Sequence, residues 1–543
     1  MELLDYIVFL VYFVIVSGYG IYIYRKNRAK EIDSKDYFLA EGSLTWWAIG
    51  ASLIASNISA EQFIGMSGSG FAVGLAISTY EWMAAATLII VAIFFIPIYL
   101  KNNIYTMPQF LSMRYNTTVS TIMAVFWLLV YVFVNLTSIL YLGALAVETV
   151  SGIDFTYCIY GLAIFAVFIT LGGMKVIGYT DVFQVFVLTL GGLATTYLAL
   201  DLVAELSGGS GVFAGLSFMQ KEASSHFHMI LEEGQLMIPD GQGGVRDAYM
   251  DLPGLSVLIG GMWIVNMSYW GANQYIVQRA LGADLKTARS GLLFAAFIKL
   301  LMPLIVVLPG IAAYTLFQNG MFQKEMLNEL GHIKPDHAYP VLLDLLPTGL
   351  KGLSFAALTA AIVASLAGKA NSISTIFTLD IFHKFFRPNA SERQLVLIGK
   401  LTVIAAMLIG VLVAPALRNL DQGFQYIQEY TGFISPGVLA IFLLGFFWKR
   451  TTALAAVTAA ILTIPLSTYL KFQFVEIPFI DRMGIVFLVL VAIMVILTLL
   501  DPKSKDNPKG LHIEPSMFKP APSFIIGSVI ICGILAALYT AFW

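Results

Sequence analysis

The sequence predicts an all-α polytopic membrane protein of about fourteen transmembrane helices, on three grounds. First, only 12% of its 543 residues are charged, 58% are hydrophobic and the mean hydropathy is +0.82. A soluble domain carries about 25% charge. Second, apolar runs recur along the whole chain, and about 20 helical residues suffice to cross a bilayer. They fall at about 4–24, 46–70, 76–100, 117–149, 154–172, 178–204, 254–278, 288–317, 350–382, 396–416, 424–448, 452–471, 479–500 and 521–542. Third, the first connection is taken as cytoplasmic and the others follow by alternation. About 21 of the 31 Lys and Arg then lie in cytoplasmic connections and about eight outside, the positive-inside bias. Arg25-Lys26-Asn27-Arg28 and Lys449-Arg450 are examples.

Taken in order, span 1 follows acidic residues and precedes basic ones. A cleaved signal peptide has the reverse order, so this reads as a retained helix, with both chain termini extracytoplasmic. Span 2, WWAIGASLIASNISAEQFIGMSGSG, carries Ser56, Asn57, Ser59, Glu61 and Gln62 where a lipid-facing helix would have Leu or Val. A charge at that depth costs roughly 2.5–3.5 kcal/mol. It is tolerable against a wet cavity, a polar ligand or a neighbouring helix. The pattern predicts a helix broken mid-membrane, its free backbone groups turned to a substrate or an ion.

Span 7 echoes span 2: WIVNMSYWGANQYIVQ has polar residues and a glycine at the same depth. Two interrupted helices five spans apart predict inverted repeats with a site at their interface. The long outer connections, about 205–253 and 318–349, read as lids or spacers. In the first, FHMILEEG could form a short helix over the mouth. A net charge of −2 gives no footprint for nucleic acid. The six histidines and the two cysteines, Cys158 and Cys532, have no metal or redox spacing. No Walker-type loop occurs. Enzymatic and ATP-driven readings therefore lack support, and no obligate protein partner is evident.

The segments ASLIASNISAEQFIGMSGSG, STYEWM, GYTDVFQV, YWGANQYIVQR, FAAFIKL and FQYIQEYTGFISPG resemble the sodium:solute symporter family. Within it they are nearest the bacterial sodium/galactose symporters of the sodium–glucose cotransporter branch. The resemblance runs from about residue 36 to 450. It implies a leucine-transporter-like core of two inverted five-helix repeats in a bacterial inner membrane. Here the repeats would be 36–205 and 254–450. An extra helix and basic loop (1–35) precede them, an outer loop (206–253) separates them, and three further helices (451–543) follow.

Neutral sugars donate and accept hydrogen bonds, so their sites favour amides, carboxylates, lysine and an aromatic ring. The polar residues stranded in the core spans are of that kind: Asn57, Gln62, Glu81, Asn266, Asn273, Lys299 and Gln428. The resemblance implies that Gln62, Glu81, Asn266, Lys299 and Gln428 bind the sugar. It also implies that Tyr269, held by Asn57, closes the inner side, and that Met66, Tyr80 and Phe424 form the outer gate. Read alone, Glu81 and Lys299 have an alternative as an ion pair joining helices, while Asn273 reads as a helix-packing hydrogen bond and not a ligand contact. Ala84 stands where the family motif has a serine.

The resemblance further implies a sodium site built from backbone oxygens of Ala55, Ile58 and Ala361 and a pair of serines. Here the pair is Ala364-Ser365, and the positions that hold a second ion in some relatives are Ala367 and Gly368. One sodium is expected. Lys369 follows Ser365 by four residues and shares its helix face. It could replace the ion's charge, repel it, or snorkel to the cytoplasmic mouth. Asp181, on the implied sodium exit path, is its expected partner. The reading is a sodium-coupled hexose importer in the lipid bilayer. The alternatives are a transporter of another polyol such as an inositol, or a hexose transporter that is proton-coupled or uncoupled because of Ala364 and Lys369.

Overall fold

The computed structural model describes residues 2–27, 44–172, 174–240, 244–327, 331–419 and 423–543. Part of the basic first connection and the middle of the DGQGG turn lie outside them. Among the described residues ten helices are long and apolar enough to cross a membrane, or twelve with each of two bent pairs taken as one span. Phe155–Thr170 is apolar but shorter, and the helical run Glu61–Lys101 holds two predicted spans. Counted so, the spans number fourteen, as the sequence predicts.

The run 61–101 doubles back at Gly74. That residue has φ +77, and a Cβ there would lie 2.4 Å from the His226 carbonyl oxygen, so only glycine fits. The reversal is visible along span 8 (Leu285–Gln318). A Cβ on Gly50 would meet the Gly291 carbonyl oxygen at 2.7 Å, and one on Gly70 that of Val307, also at 2.7 Å. Returning, Trp82 Nε1 donates to the Leu300 carbonyl at 3.3 Å, and Arg289 Nε to that of Ala92 at 3.1 Å. Small residues at such crossings let backbones approach closely, which is how helices associate in lipid.

Both predicted breaks are present. The first half of span 2, Trp46–Asn57, ends at extended Ile58, and the chain turns helical again at Glu61. Span 7 runs Gly261–Ala272, is extended at Asn273, and resumes as Gln274–Leu281. Arg279, late in span 7, donates from Nε to the carbonyl of Ser52, early in span 2 (3.1 Å). The two broken spans therefore run in opposite directions.

Three features differ from the sequence reading. Span 7 is bent by 78° on entry, between Ala248–Ile259 and Gly261–Ala272. Span 11 is not continuous but bent by 48° between Phe424–Thr431 and Ser435–Phe447. Pro436 has no N–H to donate, so it suits the first turn of a new helix and not the interior of a long one. Third, FHMILEEG does not form a helix. The helix in that connection is Val212–Glu222, followed by a hairpin of Met237–Pro239 with Val245–Asp247. Met229 N instead donates to the Phe542 carbonyl at 2.7 Å, docking the segment on the C-terminus.

His226 pins this connection. Its Nε2 lies 3.1 Å from the Phe71 carbonyl and its ring stacks on Tyr314 at 3.9 Å. Burial pushes its pKa down to about 4, so the docked imidazole is neutral. Undocked, it binds a proton below about pH 6.5. Docking is therefore complete above that pH and weakens as pH falls towards 4. Hydrogen-exchange protection of residues 224–230 is expected to drop roughly tenfold or more between pH 7 and 5. His226→Gln should remove the pH dependence; a pH-dependent drop that persists in that variant would place the titrating group elsewhere.

Candidate central cavity and ion site

The first half of span 2 ends at Asn57, which joins two other spans. Its Oδ1 accepts from Lys299 on span 8, and its Nδ2 donates to the Tyr269 hydroxyl on span 7 at 3.3 Å. Lys299 also donates to Glu81 Oε2 on span 3 at 2.5 Å. Glu81 and Lys299 are 2% and 1% exposed, so each charge depends on the other. The Trp270 ring lies 5.2 Å from the ammonium. Carboxylate, ammonium, amide and phenol thus form one hydrogen-bonded chain through spans 3, 8, 2 and 7. The helix-joining ion pair exists, and both its members line the cavity. Joining helices and meeting a ligand are not exclusive.

The same cavity is lined by Gln62, Met66, Tyr80, Ala84, Asn266, Tyr269, Phe424 and Gln428. The structure therefore brings together every residue that the sequence reading assigned to the sugar or to a gate. Tyr80 and Phe424 meet edge to face at 5.1 Å. Gly65 admits Phe424: a Cβ there would lie 2.9 Å from the phenylalanine's own. Asn273 has the packing role expected of it, accepting from the Tyr131 hydroxyl and from Tyr275 N (3.1 Å).

Ala55, Ile58, Ala361 and Ser365 are all buried. Ser365 Oγ donates to the Ser56 carbonyl at 3.3 Å, so span 9 meets span 2 at its break. Tyr275, which sequence reasoning missed, reaches the same place. Its hydroxyl donates to the Ser56 carbonyl at 2.5 Å and lies 3.2 Å from Ser365 Oγ. Carbonyl and hydroxyl oxygens beside a helix break are a donor set that suits a hard monovalent cation. Ala364 brings no oxygen to it. A Cβ at Gly368 would lie 2.5 Å from Arg279 Nη2 and 2.8 Å from the Tyr275 ring, so a serine has no room there.

Asp181 and Lys369 are not partners, contrary to expectation. Asp181 Oδ2 accepts from Ser52 Oγ at 2.7 Å and lies beside the Arg279 charge. Arg279 arrives from span 7 and takes the position expected for the lysine. Lys369 does not snorkel out either, being 2% exposed. Its ammonium donates to Asn135 Oδ1 at 3.2 Å, lies 4.1 Å from the Tyr275 ring centroid, and lines the central cavity.

A buried polar cavity between two oppositely directed broken helices is the architecture of a secondary transporter. The chain belongs to the sodium:solute symporter family, whose model matches residues 37–463. It is 47% identical over 554 residues to the sodium/glucose cotransporter of Vibrio parahaemolyticus, covering 100% of this chain and 99% of that one. It is 35% identical over 477 residues to sodium/myo-inositol cotransporter 2 of Mus musculus, covering 85% and 69%. A solved sodium-coupled sialic acid symporter is 22% identical and superposes with a TM-score of 0.77 over 92% of this chain and 98% of that one. The leucine-transporter-like fold follows from that superposition.

Proposed function

We propose that this protein is a sodium-coupled importer of a neutral hexose, working by alternating access in a cell membrane with both termini extracytoplasmic. The observation that carries the reading is the Glu81–Lys299–Asn57–Tyr269 chain lining one cavity with Gln62, Asn266 and Gln428. Those groups match the hydroxyls of a pyranose, and the aromatic rings match its apolar face. The name of the Vibrio relative supports a hexose; that of the mouse relative keeps a cyclitol as the second reading. In this scheme the repeats 36–205 and 254–450 rock around the cavity, with Tyr269 as inner gate and Met66, Tyr80 and Phe424 as outer gate. One sodium ion sits at Ala55, Ile58, Ala361 and Ser365 and leaves past Asp181.

The driving force is adequate. One charge moving through 100 mV supplies about 2.3 kcal/mol, and a tenfold ion gradient about 1.4 kcal/mol more. The sum supports a few-hundredfold accumulation, about 1.4 kcal/mol being needed per factor of ten. The test is uptake of labelled galactose and glucose into proteoliposomes under inward sodium, potassium or proton gradients, with myo-inositol as competitor. Accumulation above equilibrium is expected with sodium alone. Accumulation driven by protons alone would overturn the ion, and uptake of myo-inositol without either hexose would overturn the substrate.

A further inference from the structure

The ion site and the sugar cavity share a feature that a sodium-driven importer does not need. Spans 2 and 9 meet at the Ser56 carbonyl and Ser365. Lys369 lies one helical turn beyond Ser365 and points back to the same joint. Its ammonium lies over the Tyr275 ring (4.1 Å), and the hydroxyl of that ring holds Ser56 and Ser365. Tyr131 and Tyr269 present their rings at 5.2 and 5.9 Å, and Asn135 accepts one of the three N–H bonds. Aromatic faces and an amide oxygen are how a protein holds a cation away from water.

Glu61, on the second half of span 2, lines the same cavity. It lies within electrostatic reach of Lys369, and its Oε1 has no hydrogen-bond partner among the described residues. Lysine and carboxylate, both lining the cavity, therefore attract span 9 to span 2. These are the two elements that a bound sodium would tie. The residue before Ser365 is Ala364, which brings no side-chain oxygen to the ion.

We propose that Lys369 is a resident cation that carries out part of sodium's structural task, so that this transporter binds its sugar nearly as well without sodium as with it. This rests on the reading of the cavity as a hexose site. With Lys369 in place, the sugar-ready joint of spans 2 and 9 forms whether or not the ion is bound. The coupling between the two ligands is correspondingly small. By linkage, sodium changes sugar affinity by the same factor that sugar changes sodium affinity. A small factor on one side therefore requires a small factor on the other.

The experiment is equilibrium binding of glucose and galactose to the purified full-length protein, in sodium and in choline at equal ionic strength. In the parent, sugar affinity is expected to differ by less than about threefold between the two salts. In Lys369→Met, whatever its affinity in sodium, the affinity is expected to fall by about tenfold or more from saturating sodium to choline, within the usual range of about 5–150-fold for coupled sites. Lys369→Arg keeps the charge and should keep the flat response. Ala364→Ser, which restores an oxygen, should tighten sodium binding without changing sugar affinity in choline. A parent that already loses tenfold or more in choline overturns the proposal, even if Lys369→Met fails to fold. So does a Lys369→Met protein with the parent's salt response. If neither hexose binds in either salt, it is the assignment of the cavity that fails.

Discussion

Lys299→Met is expected to abolish hexose binding and to destabilise the protein by about 3–5 kcal/mol, because it leaves Glu81 as an uncompensated buried charge. Glu81 is 2% exposed and meets Lys299 at 2.5 Å. Removing the lysine also takes the donor away from Asn57 Oδ1, and so loosens the amide that holds the Tyr269 hydroxyl. Stability and function can be separated. A buried pair replaced on both sides by apolar residues of similar volume is often neutral or stabilising. Glu81→Leu with Lys299→Met should therefore recover the melting temperature while remaining unable to bind or transport the sugar. Recovery of transport in that double variant would mean that the pair only joins helices and that the ligand sits elsewhere in the cavity.

What the sequence made legible follows from how far each residue's influence reaches. The break in span 2 could be read because five polar residues in seven positions have no place on a lipid-facing helix. The break at Asn273 followed from the same reasoning, and the two breaks at matching depth placed the cavity. Lys369 could be read as anomalous, and helical spacing put it on the Ser365 face. Spacing along one helix does not say which other helix supplies the partner. Asp181 and Arg279 meet at Ser52 from spans 6 and 7, while Glu61 and Asn135 face Lys369 from spans 2 and 4. Tyr275 was invisible for the same reason: its role comes from reaching two residues on two other spans. The 228–234 segment misled because Met229 N and the His228 ring bond the carbonyls of Phe542 and Trp543, a tertiary demand that overrides helix propensity.

Arg279→Lys is expected to lower transport by about tenfold or more although the charge is kept, because Arg279 acts as a fork. Its Nε donates to both the carbonyl and the hydroxyl of Ser52 at 3.1 Å, and its Nη1 to the Tyr275 carbonyl at 2.5 Å. The Ser52 hydroxyl in turn donates to Asp181 at 2.7 Å. One guanidinium thus ties the first half of span 2, the second half of span 7 and, through Ser52, span 6. Those two half-helices are the ones that must part if the cavity is to open on the side away from Tyr80 and Phe424. A lysine ammonium is a point charge on a flexible stem and cannot hold two planar contacts at once. Loss of the fork should favour the arrangement open at that end, so sugar affinity should change little while turnover falls. Arg279→Gln goes further, leaving Asp181 without its positive neighbour, and should also cost stability, about 3 kcal/mol or more. Adding Asp181→Asn removes the orphaned charge and should restore the melting temperature but not the rate. If the double variant regains full transport, the fork serves only to neutralise Asp181, and opening at that end is governed by other contacts.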